Sequence, residues 1–207
     1  MGNPDPIVQT IALTMGVAWA SGINLYAAIL ALGIMGATGN ITLPPDLVVL
    51  ADPLIIIAAG IMYVVEFFAD KIPGVDNGWD TVHTFIRIPF GALLAAAAVG
   101  DVNPSSVMAV ALLGGGMTAS THAAKAGTRV LMNASPEPFT NWFTSLGEDA
   151  AVFAGLWTAF HYPLLFVIFL IVFIFLLIWL LPKIWQGIVK MFTTLSNLFR
   201  PKQKNQQ

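Results

Sequence analysis

Three groups of ionisable side chains stand out in a chain poor in charge. The first runs Glu66-Phe-Phe-Ala-Asp70-Lys71-Ile-Pro73-Gly-Val-Asp76-Asn-Gly-Trp79-Asp80-Thr-Val-His83-Thr-Phe-Ile-Arg87. Glu66 and Asp70 are four residues apart, while Asp80, His83 and Arg87 follow the i, i+3, i+7 spacing that shares one helical face. The second is His122, Lys125, Arg129 and Asn133, spaced to draw one cationic stripe along a helix. The third is the adjacent pair Glu148-Asp149.

Ionisable groups inside apolar segments are costly and by default mark a pathway or a pair. The stripe, with Arg87, suits an anionic group. Carboxylates held away from water favour their neutral form, which suits Glu66, Asp70, Asp80, Glu148, Asp149 and the neighbouring His83 to proton or cation coupling. Each cluster also has a plainer reading. Charges 66 to 87 could staple an interfacial loop. Lys125 and Arg129 could neutralise Glu148 and Asp149 in a network that holds two helices together, or snorkel to the membrane surface. Asp76, Asp80 and His83 have spacing that could converge on one metal ion, but a hydrated helix face shows the same pattern, and neither a metal nor a cofactor is expected. Gly114-Gly115-Gly116 lacks the lysine ending of a phosphate loop, and His161 beside Tyr162-Pro163 fits an interfacial belt.

These residues are positioned by a chain of 207 residues that is 57% hydrophobic and 10% charged, with mean hydropathy +0.79. Soluble domains carry about a quarter charged residues, so lipid is the expected solvent. Four basic side chains, Lys71, Arg87, Lys125 and Arg129, precede residue 183, and the remaining basics follow it without an acid. That asymmetry fits attraction to an anionic leaflet and gives no support to nucleic-acid binding. The absence of cysteine excludes disulfides, thiol redox chemistry and zinc-thiolate sites. The N-terminus has no basic n-region, so no cleaved signal peptide is expected.

A helix crossing the hydrocarbon needs about 20 mostly apolar residues. Six segments qualify as candidates: 7–38, 50–69, 84–100, 105–134, 139–161 and 164–181. Segments 7–38 and 105–134 are long and rich in small residues, and each is expected to break or kink near its middle, at Ala20-Ser21-Gly22-Ile23-Asn24 and at Ala119-Ser120-Thr121-His122. They also look alike. Asn3-Pro4 opens one and Asn103-Pro104 the other, and Ala20-Ser21 aligns with Ala119-Ser120, which implies a duplicated unit covering about 3–100 and 103–181. Three crossings per copy would invert the second copy relative to the first, as in many secondary transporters. Re-entrant hairpins in place of crossings would reduce the count. Residues 183–199 place Ile184, Ile188, Met191, Phe192, Leu195 and Phe199 on one helical face, as an interfacial amphipathic helix does, followed by a basic flexible tail, 200–207.

At the motif Glu66 to Arg87, at His122-Ala-Ala-Lys125-Ala-Gly-Thr-Arg129 with Asn133-Ala-Ser-Pro136, and at Glu148-Asp149, the sequence resembles the bacterial membrane family known as domain of unknown function 4126. The resemblance covers roughly residues 7–180. It implies a polytopic helical bundle, in keeping with a bacterial inner membrane, and supplies no activity.

The expected fold is therefore an all-α transmembrane bundle of about six membrane segments in one domain, residues 1–182, with both termini cytoplasmic by the distribution of Lys and Arg. The expected function is a small transporter or lipid-headgroup flippase for an anionic or polar substrate, acting as a homodimer among membrane lipids. The alternative is a non-transporting scaffold whose charges are internal glue. No nucleophile motif points to an enzyme.

Overall fold

The computed structural model describes residues 5–134 and 138–199, so the expected Asn3-Pro4 opening and the tail 200–207 lie outside the described residues. Among them the chain forms seven α-helices: α1 (Pro6–Ile23), α2 (Leu25–Ala37), α3 (Pro53–Ala69), α4 (Val75–Ala98), α5 (Pro104–Asn133), α6 (Pro138–His161) and α7 (Pro163–Phe199). A 3₁₀ helix, Pro45–Ala51, precedes α3. Three of these starts share one local chemistry. Asp5, Asp52 and Asn103 each accept a backbone N–H through their side chain, and a proline follows as the first helical residue, where its missing N–H costs nothing.

The protein is an all-helical integral membrane protein. By length and composition four helices can cross a bilayer, α1, α4, α5 and α7, or five if the 3₁₀ helix and α3, bent by 69° at Asp52, count as one span. Helix α6 is long enough but too polar to qualify by composition.

Packing shows how these helices run. Gly91 meets Thr118, and Gly114 meets Ala95, so α4 and α5 are antiparallel. Gly127 touches Ile184 and Gly187 touches Leu131, so α5 and α7 are parallel. Helix α1 runs antiparallel to α6, with Gly16 against Ala159, Gly155 against Trp19, and Asn24 bonded to Asp149. Helix α2 then turns back along α3, with Leu30 beside Gly60 and Gly33 beside Ile56. Gln9 and Thr10 at the start of α1 consequently line the same pocket as Thr42 and Pro44, which follow α2, together with Gly100 and His161.

Helices α1 and α2 thus form a hairpin that enters and leaves at one end of the bundle, and Asn24 is its tip. The tip stands beside Gly22's neighbours Thr118 and Thr121, near the middle of the 30-residue α5. Twelve residues of α6 separate Asp149 from His161, a rise of about 18 Å, so the tip lies deep within the bundle. Helices α3 to α7 then traverse the bundle in alternating directions around it.

This arrangement corrects three expectations. Segment 105–134 is one uninterrupted helix, because Ala119-Ser120-Thr121-His122 contains neither proline nor an unmet backbone group, and Ser120 simply returns its hydroxyl to Gly116 O at 2.8 Å. Segment 7–38 does break, at Asn24, into the hairpin that the sequence left open beside a crossing. The first and last described helices therefore begin and end at opposite ends of the bundle, not on one side. Residues 183–199 also differ from a separate interfacial helix: α7 continues through Pro182, and Ile184 and Ile188 pack on Gly127 of α5.

The two ends of the bundle differ in charge. Asp5, Asp46, Asp52 and Asp101 are exposed at the end where the hairpin enters; Lys71, Lys183 and Lys190 gather toward the other. They are called the aspartate end and the lysine end below.

Candidate functional site

Helix α3 brings Glu66, with Asp70 as its C-cap, to the lysine half of the bundle, and a tight turn through Gly74 (φ 86°) returns the chain into α4. Helix α4 then presents Asp76, Asp80, His83 and Arg87 from one face. Helix α5 contributes His122, Lys125, Arg129 and Asn133, and α6 adds Asn141, Ser145, Glu148 and Asp149. The three groups separated in sequence become one continuous buried network.

Its centre is Arg87, whose side chain is 0% exposed and pairs with the equally buried Glu66. The same guanidinium donates to Asp80 Oδ1 at 3.0 Å and to His122 Nδ1 at 3.1 Å. Arginine has no lone pair to offer, so His122 Nδ1 must accept. Its Nε2 then carries the proton, donating toward Thr84 Oγ1 at 2.8 Å and Asp80 O at 3.2 Å, while Thr84 donates its own hydrogen to Asp80 O at 2.8 Å. His122 is therefore a neutral histidine with an assigned tautomer.

Lys125 lies one turn nearer the lysine end. Its ammonium donates to Asp70 Oδ2 at 2.8 Å, to Glu66 Oε1 at 3.4 Å and to Ile23 O at 3.0 Å. Ile23 O is one of the carbonyls left without a helical partner where α1 stops, so the lysine caps the negative end of that helix. Arg129 donates to Asp70 O and to Glu148 Oε2, both at 2.6 Å, with Asp76 Oδ2 at 3.9 Å. Asn133 Nδ2 reaches both Asp76 oxygens at 2.9 Å, and Asn141 Nδ2 reaches Asn133 Oδ1 at 2.7 Å. Asp76 also accepts the N–H of Gly74 and Asn77 at the start of α4.

His83 sits at the margin. It stacks on Trp79 with ring centroids 4.1 Å apart, bonds Trp79 O through Nδ1, and meets Tyr26 of the hairpin through Nε2 at 3.2 Å. Asp76, Asp80 and His83 therefore go to three different partners, and among the described residues no group of three or more metal-ligating side chains converges. Lys71, in the turn after α3, donates to Ser145 Oγ at 3.3 Å and to Phe67 O at 3.0 Å, with its ammonium 2.9 Å from the Phe67 ring centroid. Burial pulls its pKa below the ordinary lysine value.

The hairpin tip closes the network from the aspartate side. Asn24 Oδ1 accepts the N–H of Ala27 at 2.9 Å and so caps α2, which fixes its amide and turns Nδ2 toward Asp149 Oδ1 at 3.1 Å. Asp149 is 7% exposed. Asn24, Tyr26, Asn141 and Ser145 were not legible as site residues, and Lys71, though within the first charged group, was given no role. The one available signal was that Asn141, Ser145 and Asp149 repeat at i, i+4, i+8 on α6.

Six acids, Glu66, Asp70, Asp76, Asp80, Glu148 and Asp149, meet four bases, Lys71, Arg87, Lys125 and Arg129, in this network. Counted as carboxylates against lysine and arginine cations, the acids of the network exceed the bases by two. Glu66 Oε2, Asp70 Oδ1, Asp80 Oδ2 and Asp149 Oδ2 are buried without a hydrogen-bond partner. A carboxylate oxygen left so at low dielectric is costly unless a proton or cation accompanies it.

The family model described as a domain of unknown function, DUF4126, matches residues 11–183, and the chain belongs to that family. Neither the curated proteins nor the solved structures contain a match to the chain.

Proposed function

We propose that this protein is a small membrane transporter whose buried carboxylates exchange protons or cations as a polar substrate is moved, and that the closed network is its occluded arrangement. The observation that supports this reading is the excess of two acids over bases at the depth of a re-entrant hairpin tip. Structural ion pairs need only balance. Transporters place coupling sites near the midplane where helices are discontinuous, which is where Asn24 and Asp149 meet.

The network also narrows how an anionic substrate would enter. The donors of Lys125, and the terminal nitrogens of Arg129, are already directed at carboxylate and carbonyl oxygens. An anionic group reaches Arg129 only by displacing Glu148, whose side chain, 18% exposed, is the most open of the paired acids. By the distribution of basic residues the lysine end is cytoplasmic, which puts the start of α1 on the opposite side.

The test is proton movement in proteoliposomes loaded with a pH-sensitive dye, alongside flipping of a labelled anionic lipid. The wild type is expected to dissipate an imposed pH gradient or scramble the lipid, and Glu66→Gln is expected to lose that activity while keeping its fold. One specific observation favours a scaffold instead: Lys125 and Arg129 are paired directly with Asp70 and Glu148 in a tightly packed interior. No flux and no flipping by folded wild-type protein would support that reading.

A further inference from the structure

Of the six acids in the network, Asp149 differs in kind. Glu66, Asp70, Asp76, Asp80 and Glu148 each have an arginine or lysine nitrogen within 4.0 Å, and Asp149 has none. Its Oδ1 is met by the Asn24 amide, its Oδ2 is buried without a hydrogen-bond partner, and the side chain is more than nine-tenths buried. A carboxylate that lacks a paired cation about 16 Å from the nearer end of its helix is poorly placed to stay ionised.

The groups around it come from every side. Asn24 faces it from the hairpin tip, and the Tyr63 hydroxyl of α3 lies within its hydrogen-bonding range; Lys125 from α5 and Asp70 from the end of α3 act on it through space. Lys71 acts on it from the α3–α4 turn. Glu148 precedes it on α6. The two lysines are engaged elsewhere, Lys125 with Asp70 and Glu66, and Lys71 with Ser145 and the Phe67 ring.

Building on the transport reading, we propose that Asp149 is the proton-binding site of the protein and that its protonation loosens the α1–α2 hairpin through Asn24. Asn24 is the one non-helical residue between α1 and α2, with φ −150° and ψ 102°. Its side chain holds both halves of the hairpin tip in place, capping α2 with the oxygen and binding α6 with the nitrogen. Taking up a proton at Oδ2 converts a charge-assisted hydrogen bond from Asn24 into a neutral one, roughly halving its strength. The hairpin then has weaker attachment to α6 while Lys125 still holds Ile23 O. The proton is gained from, and returned to, water that reaches the tip when the hairpin moves.

Infrared difference spectroscopy on the full chain in lipid nanodiscs tests this, using a pH titration to detect the carbonyl band of a buried protonated carboxyl group. Three samples carry ¹³C-aspartate, ¹³C-glutamate or no label. The band is expected to shift in the aspartate-labelled wild type, to vanish in Asp149→Asn, and to shift under glutamate labelling in Asp149→Glu. Protection against hydrogen exchange at residues 22–27, taken relative to the intrinsic exchange rate at each pH, is expected to fall about fivefold on acidification of the wild type, and in Asp149→Asn to be low at every pH. A titrating band that follows glutamate labelling in the wild type, or that survives in Asp149→Asn, overturns Asp149 as the site while leaving proton coupling intact. If Asp149→Asn does not fold, the labelled wild type and Asp149→Glu decide the matter. A wild type with no titrating carboxyl band overturns both this inference and the transport reading.

Discussion

At the residue scale, the network is asymmetric in what each deletion leaves behind. Lys125→Ala would strand Asp70 and Glu66 and free Ile23 O, and removing one partner of a buried pair costs about 3–5 kcal/mol. It is expected to lower stability by that order in a detergent unfolding assay. Glu148→Gln keeps the shape and an acceptor for Arg129 while removing one surplus charge, so its cost should be well below that of Lys125→Ala. Near-equal losses in the two variants would mean that charge surplus has no bearing on stability. Much of this site was legible before the fold. The spacing of Asp80, His83 and Arg87, and of His122, Lys125 and Arg129, identifies faces that do meet. What spacing could not show is that the cationic stripe is already occupied, since Asp70 comes to Lys125 from a helix 55 residues away.

At the element scale, the α1–α2 hairpin depends on Asn24 and on close contacts that only glycine permits. A Cβ at Gly22 would stand 2.7 Å from both Thr118 O and the Thr121 Cβ, so Gly22→Val forces the tip off α5. Asn24→Ala removes the α2 cap and the Asp149 contact together, and loss of a cap alone costs about 1 kcal/mol. Both variants are expected to raise hydrogen exchange across 20–30 far more than across α4. Uniform exchange along the chain would show that the hairpin is not an independent element. Two sequences rich in small residues, Ala20-Ser21 and Ala119-Ser120, carried the same breaking signal, and only one breaks. The difference lies in partners: Ile23 O finds Lys125 and Asn24 finds Asp149, so the first segment can afford unpaired backbone, while the second has no such receivers and stays helical. Periodicity is blind to that distinction because it is decided between elements.

At the scale of the whole molecule, an odd number of traversals and a hairpin place the start of α1 and the end of α7 at opposite ends of the bundle. Single cysteines at Gly39 and Asp101 should be labelled by an impermeant reagent from one side of the membrane, and cysteines at Gly74 and Lys190 from the other. Labelling of Gly39 and Gly74 from the same side would break this topology. Membrane residence and helical class were legible from composition, because apolar content needs no tertiary information; the direction of return after residue 24 was not.

The surplus of buried acid makes stability itself a proton counter. If the folded network retains one or two protons that the unfolded chain releases, the native state binds more protons than the unfolded state and stability must fall as pH rises. The decisive measurement is the unfolding free energy in lipid between pH 8 and 9, above the range where histidine titrates in the unfolded chain. A decline of about 1.4–2.7 kcal/mol per pH unit, one to two protons' worth, is expected for the wild type. A flat or rising profile would mean that all six carboxylates are ionised in the folded protein, and would contradict proton storage in this network.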